Sequence, residues 1–245
     1  MKVEIWSDYA CPFCYIGKRK FEAALESFPH RGEIEVVYKS FELDPNAKRD
    51  IDTDIHTMLS SKYGMSRDQA IAMNANVGEQ ARSVGLDFRF DTMVLTNTFD
   101  AHRLTQYAQE RGLGHEMSER LFHAYFTESK HLGDRETLVA LAAEVGLDPA
   151  ETAEVLAGHT GSQEVRADEQ EAQALGVRGV PFYVINRKYG VSGAQPSEVF
   201  AEALDKAWSE ENPLILMNEG AEGICEDGFC GVSPEPKVEK SGSND

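Results

Sequence analysis

Polar and apolar side chains alternate along residues 2–6, which is the pattern of a strand with one buried face. Apolar positions then recur at helical spacing from Tyr15 to Phe28, and residues 34–41 are rich in β-branched and aromatic side chains. A strand, a helix and a second strand in this order indicate a parallel βαβ unit. Residues 7–14 therefore lie at the sheet edge where open α/β proteins usually bind ligands.

From residue 52 to residue 158 the pattern becomes a succession of helices without a convincing strand. Ser66 and Gln69 form a capping box, and Asn97, Asp134 and Asp148 stand where further helices are expected to begin. We predict that this stretch is an all-helical insertion that covers one face of a smaller α/β domain.

The α/β pattern then returns with a helix over 163–175, a strand over 180–185, a strand over 189–192 and a final helix from Ser197. Beyond residue 211 the chain is rich in Gly, Glu, Ser and Pro, which predicts a tail that is at best irregular. The expected organisation is therefore a discontinuous α/β domain over 1–51 and 159–211, a helical insertion over 52–158 and a C-terminal tail over 212–245.

Charge and hydropathy exclude several classes of partner. The net charge of −18 and the pI near 4.8 argue against nucleic acid and against an anionic membrane surface. No stretch approaches the roughly 20 apolar residues of a membrane span, and the first residues do not resemble a secretory leader. A cytoplasmic location is expected, and a cysteine pair there is more often catalytic or metal-binding than structural.

The candidate chemistry centres on Cys11-Pro12-Phe13-Cys14. This motif lies at a predicted helix N-terminus, where unpaired N–H groups and the helix dipole stabilise a thiolate, so Cys11 is expected to be acidic and reactive. Pro12 suits the first helical turn. The two-residue spacing allows Cys14 to attack a mixed disulfide formed on Cys11. The same spacing is also half of a common zinc site, although the strand and helix around it favour redox chemistry.

A second cysteine pair, Cys225 and Cys230, lies in the predicted tail. Because the chain keeps its four cysteines as two closely spaced pairs, we hypothesise that this pair exchanges electrons with Cys11 and Cys14. The alternatives are a local structural disulfide or two idle thiols. A further alternative is a zinc-binding module in which both pairs supply a four-thiolate site.

Three segments carry a resemblance to a known family. They are Asp8-Tyr9-Ala10-Cys11-Pro12-Phe13-Cys14-Tyr15-Ile16-Gly17, Asn97-Thr98-Phe99-Asp100-Ala101-His102-Arg103 and Gly176-Val177-Arg178-Gly179-Val180-Pro181-Phe182. With the order of elements, they resemble the DsbA-like arrangement, a thioredoxin fold with an inserted all-helical domain, and most closely its cytoplasmic FrnE-like branch. The resemblance spans residues 1 to about 210.

The resemblance implies a protein disulfide oxidoreductase or isomerase with Cys11 as the attacking thiol and Cys14 as the resolving thiol. It also implies a cis peptide at Pro181 that faces the cysteines, with the Val180 backbone pairing with an extended substrate. Pro12 and Phe13 are then expected beside the substrate. The implied partners are protein or small-molecule thiols and disulfides, with glutathione or a cytosolic reductase as electron donor, and no cofactor or metal is expected.

Kappa-class glutathione transferases and hydroxychromene-carboxylate isomerases also resemble this chain, so a glutathione-dependent isomerase or transferase is the alternative function. Those enzymes typically carry serine at the position of Cys11. His102 is a candidate substrate-facing proton shuttle, with a half-buried packing role as the alternative. Lys18, Arg19 and Arg178 would raise the thiolate character of Cys11 if they lay near it, but they are interpreted as solvated surface residues.

Overall fold

The computed structural model describes residues 1–213 and contains a four-stranded sheet in the order β2-β1-β3-β4. The strands are β1 Lys2–Ser7, β2 Glu35–Ser40, β3 Phe182–Ile185 and β4 Tyr189–Ser192. Strand β1 pairs with β2 in parallel and with β3 in antiparallel orientation. The predicted parallel βαβ unit and the predicted C-terminal hairpin are therefore both present.

The α-helices lie between and after these strands. In chain order they are α1 Pro12–Ser27, α2 Ile55–Tyr63, α3 Arg67–Arg82, α4 Phe99–Gln109, α5 Gly114–Phe126, α6 Arg135–Glu144, α7 Pro149–Ala157, α8 Ser162–Ala174 and α9 Ser197–Glu211. Short 3₁₀ helices cover Arg31–Glu33 and Phe90–Thr92. Helices α2 to α7 thus form the all-helical stretch expected between β2 and α8.

Several helix starts follow from local capping chemistry. Ser66 and Gln69 form the predicted capping box of α3, and Asp134 and Asp148 cap α6 and α7 with their carboxylates. Helix α4 begins differently, because Asn97 lies one residue before the N-cap and its side chain accepts a hydrogen bond from the Phe99 N–H.

Two apolar cores meet at α1. On the sheet side, Phe21 of α1 packs against Tyr183 of β3 and Phe200 of α9, with ring centroids 5.5 and 5.7 Å away. On the other side, Tyr15 of α1 stacks on Phe122 of α5 at 5.1 Å. Helix α1 is therefore held between the sheet and the helical stretch.

Residues Met1–Glu211 form one compact unit. The helical stretch packs directly on α1 and the sheet within this unit. The division into an α/β domain and a helical insertion, with boundaries at residues 51/52 and 158/159, therefore stays a prediction. Over the part of the chain described here, no helix combines the length and the apolar character that crossing a bilayer requires.

Candidate active site

Cys11 occupies the N-cap position of α1, and Pro12 occupies the first helical turn. The chain reaches this position through a turn in which the Cys11 N–H donates to the Asp8 carbonyl at 3.0 Å. Because the N-terminal N–H groups of α1 have no partners within the helix, their positive potential acts on the Cys11 side chain. Cys11 is only 5% exposed, but it lines a large cavity that gives access to it.

Cys14 lies one turn further along α1 and is 2% exposed. Both cysteines are free thiols. Burial raises the pKa of the Cys14 thiol well above its usual range, and its hydrogen bond with the Cys11 sulfur adds to this rise. Cys14 therefore stays protonated while the site rests in its reduced form.

The loop before β3 lies against the cysteine pair. The Val180–Pro181 peptide bond is cis, and the Cys11 thiol donates to the Val180 carbonyl oxygen with an Sγ to O distance of 3.5 Å. Close packing holds this loop beside α1, since a Cβ at Gly17 would lie 3.1 Å from Pro181 Cγ and 2.6 Å from Tyr183 Oη.

Asp8 is a buried carboxylate between β1 and the cysteine motif. Its Oδ1 accepts from the Ala10 N–H at 3.2 Å and from the Thr98 hydroxyl at 2.8 Å, and its Oδ2 accepts from the Leu43 N–H at 2.7 Å. Burial alone would raise the pKa of Asp8, but His102 and these donors outweigh burial and lower it. Asp8 is therefore an ionised group beneath the cysteine motif.

His102 lies in α4 and is 2% exposed. Its Nε2 is 3.4 Å from Asp8 Oδ1, in a geometry that falls short of a hydrogen bond, and its ring lies 4.9 Å from that of Tyr9. The imidazole thus lies behind Asp8, and His102 is not among the residues that line the cavity. This placement matches packing rather than direct contact with a substrate.

The cavity beside Cys11 has a volume of about 950 Å³. One side is formed by Ala10, Cys11, Pro12 and Phe13, so two of the predicted substrate-contacting residues lie on it. Val180, whose carbonyl accepts from Cys11, and Pro181 are not part of its lining. The rest of the wall comes mainly from the helical stretch, with apolar side chains that include Ile51, Met58, Met73, Val77, Met93 and Phe126.

The interpretation of Lys18 and Arg19 as solvated residues is wrong for Lys18. Its side chain is 3% exposed and pairs with Glu119 of α5 at 2.7 Å and with Glu22 at a short distance. Arg19 is partly exposed and also contacts Glu119. The two pairs with Glu119 join α1 to α5, whereas Glu22 lies on α1 itself. An ammonium group that is withdrawn from water needs such partners to stabilise its charge.

The described residues do not contain a recognisable metal-binding group. Across residues 1–213, no group of three or more His, Cys, Asp or Glu side chains is arranged to hold an ion. Cys225 and Cys230 lie outside the described residues, so the four-thiolate alternative and the second redox pair both stay predictions.

Two parts of the site, Asp8 and the cavity wall, were not predicted from the sequence. Asp8 carried a signal, because it is a charged residue directly after a buried strand and three positions before Cys11. The cavity wall carried none, since Met58, Met73 and Met93 fit an ordinary helix core equally well. Only the packing of α2, α3 and the following loop shows that these side chains surround a space.

The fold and the site together define a thioredoxin-like protein with a two-cysteine centre at the start of α1. The family model described as DSBA-like thioredoxin domain matches residues 2–205, and the chain belongs to this family, whose members are generally disulfide oxidoreductases.

The chain is similar to several known proteins. It is 48% identical to the probable DsbA oxidoreductase SCO1869 from Streptomyces coelicolor, with 94% of this chain and 100% of that chain covered and a TM-score of 0.83. It is 29% identical to the uncharacterized protein YwbO of Bacillus subtilis, covering 82% of this chain and 94% of YwbO. The cytosolic disulfide reductase DsbM from Pseudomonas aeruginosa, solved with GSH, shares the fold at 17% identity, with 86% and 97% covered and a TM-score of 0.57.

Proposed function

We propose that this chain is a thiol–disulfide oxidoreductase in which Cys11 attacks and Cys14 resolves. The observation that carries the proposal is the asymmetry of the pair. Cys11 lies at the N-cap of α1 on the wall of an open cavity, whereas Cys14 is buried behind it with a raised pKa. A reactive thiol beside a protonated partner is the arrangement that sequential thiol–disulfide exchange requires.

The reaction consists of two successive thiol–disulfide exchange steps. The Cys11 thiolate attacks one sulfur of a substrate disulfide, an S–S bond forms to Cys11, and the other substrate sulfur leaves as a thiolate and takes up a proton. Cys14 then loses its proton and attacks the Cys11 sulfur, which releases the second substrate thiol and leaves a Cys11–Cys14 disulfide. The protein loses two electrons and the substrate gains them; oxidation of a dithiol substrate is the same cycle in reverse.

The Asp8 carboxylate and the helix N-terminus act on the two steps in different ways. Cys11 lies at the N-terminus of α1, where negative charge that develops on sulfur during exchange is stabilised. Ionised Asp8 disfavours a thiolate at Cys14, whose pKa is raised mainly by burial. The order of attack, with Cys11 first and Cys14 second, therefore follows from the access that the cavity gives to Cys11 and from the raised pKa of Cys14.

Substitution of each cysteine tests the proposal. We expect Cys11→Ser to abolish turnover of a disulfide substrate and Cys14→Ser to accumulate a stable mixed disulfide on Cys11, observed as an added mass on the intact protein. Normal turnover by the Cys11→Ser variant would refute the assignment.

We propose glutathione or a cytosolic reductase as the electron donor. The similarity to the cytosolic disulfide reductase DsbM, which was solved with GSH, supports this proposal and a cytoplasmic location, as in the FrnE-like branch. A saturable rate of reduction of the Cys11–Cys14 disulfide by glutathione is the expected result. Transfer of glutathione to an electrophile at a rate independent of Cys14 would instead support the isomerase or transferase alternative.

The Cys225 and Cys230 pair is proposed as a relay for electrons to or from Cys11 and Cys14, because both pairs occur in one chain. A Cys225→Ser, Cys230→Ser variant is expected to turn over more slowly with the physiological donor while Cys11 keeps its direct reactivity with a small disulfide. Unchanged turnover and an unchanged reduction potential in that variant would remove the relay.

A further inference from the structure

The cavity beside Cys11 is far larger than the attack of a thiolate on a disulfide requires. About 950 Å³ of space extends from Cys11 into the helical stretch, in the range of cavities that enclose a small molecule. Most of the wall is apolar, and three of its side chains are methionines, Met58, Met73 and Met93. Methionine adapts its shape and polarises easily, so such a wall accommodates apolar groups of varied shape.

The mouth of this cavity is apolar as well. Phe13, Leu43 and Tyr63 all line it and are 39%, 45% and 59% exposed. Large apolar side chains that remain in contact with water around a cavity mark a binding surface more often than a packing defect. Phe13 is also a member of the cysteine motif, so one of these exposed apolar side chains lies two positions after the reactive thiol.

Charge narrows the class of ligand. The ionisable carboxylates on the lining are Asp8 and Asp44, and the one cationic side chain among the lining residues of the described chain is Lys62. Asp8 is already engaged by three donors from the protein. A ligand with carboxylates of its own would thus meet a wall of net negative charge on a chain of net charge −18, and would find a single ammonium group to pair with.

We propose that this cavity is a substrate subsite for an uncharged apolar group, alkyl or aryl, attached to the sulfur that becomes bonded to Cys11. The inference rests on the proposed function and names its substrate class, a small apolar disulfide rather than an anionic one such as glutathione disulfide. It concerns the disulfide that Cys11 reduces and not the thiol that later reduces the Cys11–Cys14 disulfide. In the reaction, the Cys11 thiolate forms an S–S bond to the sulfur that carries the apolar group. The more polar half leaves as a thiolate and takes up a proton from water.

A chain-length series tests the proposal. The protein is a full-length chain carrying Cys14→Ser, Cys225→Ser and Cys230→Ser, so that Cys11 is the one remaining cysteine of the four. The probes are 2-hydroxyethyl n-alkyl disulfides from ethyl to hexyl, and the rate of adduct formation is read by mass spectrometry of the intact protein. Each methylene that enters the cavity should raise the second-order rate constant by about fourfold.

The mass of the adduct gives a second and independent reading. We expect the alkyl half to remain on Cys11 and the hydroxyethyl half to leave, with a preference that grows along the series. A hydroxyethyl adduct that dominates at every chain length would overturn the placement of the apolar group.

Two neighbouring substitutions provide a matched pair. Ala47 lines the cavity, whereas Asn46, in the same loop, is exposed and is not part of the lining. Ala47→Trp should flatten the dependence on chain length, and Asn46→Trp should leave it unchanged. If the rate constant depended on alkyl chain length equally in both variants, the assignment of the subsite would be contradicted. Far-ultraviolet circular dichroism of both variants verifies that they are folded.

The outcomes separate this inference from the proposed function. If Cys11 reacts with every disulfide at the same rate whatever its chain length, the apolar subsite is refuted while the role of Cys11 stands. If Cys11 reacts with none of the disulfides, the role of Cys11 fails and the subsite fails with it.

Discussion

Asp8 is a buried charged residue whose carboxylate acts on Cys14. Three protein donors and His102 hold it ionised although it is buried, and its charge in turn disfavours a thiolate at Cys14. Replacing Asp8 by Asn keeps the shape of the side chain and removes its charge. It also places an NH₂ group, which is a donor, where one carboxylate oxygen accepted hydrogen bonds.

Asp8→Asn should therefore lower the pKa of Cys14, because a negative charge near the sulfur is removed. The measurement is the pH dependence of Cys14 alkylation in a Cys11→Ser, Cys225→Ser, Cys230→Ser background, with and without the Asp8 substitution. Asp52→Asn, at an exposed position, is the control and should not change the alkylation profile. A rise in the pKa of Cys14 in the Asp8 variant would contradict this account of the charge.

The same substitution also has a consequence for stability. The pKa of Asp8 is lower in the folded chain than its ordinary value of 3.8. Ionised Asp8 therefore stabilises the fold above pH 3.8, and this stabilisation is lost as pH falls through the folded pKa. Asp8→Asn should cost about 1 to 3 kcal/mol at neutral pH, and less under acid conditions. Urea unfolding at pH 7 and near pH 3 measures both values, and an equal cost at the two pH values would contradict the prediction.

At the scale of elements, helix α1 joins the two cores, and its contact with α5 depends on Glu119. Burial raises the pKa of Glu119, but Lys18, Arg19 and the Tyr15 hydroxyl outweigh burial and lower it to about 2. The contribution of ionised Glu119 to the stability of the fold is therefore complete above pH 4.5, the ordinary pKa of a glutamate. It is lost as pH falls from there towards 2.

Glu119→Gln should destabilise the protein by about 2 to 3 kcal/mol at pH 7, because the buried Lys18 keeps only one carboxylate partner. Glu116→Gln, at an exposed position on the same helix, should change the free energy of unfolding by less than about 0.5 kcal/mol. Denaturant unfolding compares the two variants, and equal costs would show that the contact between α1 and α5 does not depend on this ion pair.

The contact between α1 and the Pro181 loop is tested at Gly17. An added Cβ would lie 2.6 Å from the Tyr183 hydroxyl oxygen, so Gly17→Ala has to displace Tyr183 or the helix. We expect a loss of about 1 to 3 kcal/mol and slower reaction of Cys11, since the loop that contacts its thiol shifts. Gly32→Ala meets no atom within 4 Å and serves as the control. Wild-type stability and reactivity in the Gly17 variant would contradict the tight contact.

Elements with local signals were predictable from the sequence. The alternation over residues 2–6 and the capping residues Ser66, Asp134 and Asp148 act through neighbours a few positions away, so the strand and the helix starts follow from the chain itself. The expectation that β1 has one buried face is wrong, because β1 is a central strand and even Glu4 is buried. The burial of Lys18 did not follow, because its partner Glu119 is 101 positions away. A charged residue on a helix looks solvated until the opposing helix is known.

At the scale of the whole molecule, the cavity was not predicted because it too depends on contacts between residues that are far apart in the sequence. Its wall brings together residues from 8 to 126, and hydrophobic periodicity identifies apolar faces without showing whether they close on each other. The large negative charge, in contrast, is a property of composition and was available at once.

That charge predicts how salt acts on the reaction at Cys11. An anionic disulfide approaches a chain of net charge −18 against repulsion, and added salt screens this repulsion. Between about 10 mM and 150 mM salt, where the Debye length falls from roughly 30 Å to 8 Å, glutathione disulfide should react faster. A neutral disulfide should react at a constant rate and cystamine more slowly. Identical salt dependence for all three would show that the field of the molecule does not reach the cysteine.

The account depends on Cys11 being the thiol that reacts first. Limited alkylation of the reduced, full-length protein with iodoacetamide at neutral pH, followed by peptide mass mapping, compares Cys11 and Cys14 in one sample. We predict that Cys11 carries at least about tenfold more label than Cys14, because Cys11 lines the cavity at the helix N-terminus whereas Cys14 is buried and its pKa is raised. Equal labelling, or labelling of Cys14 before Cys11, would contradict the central claim.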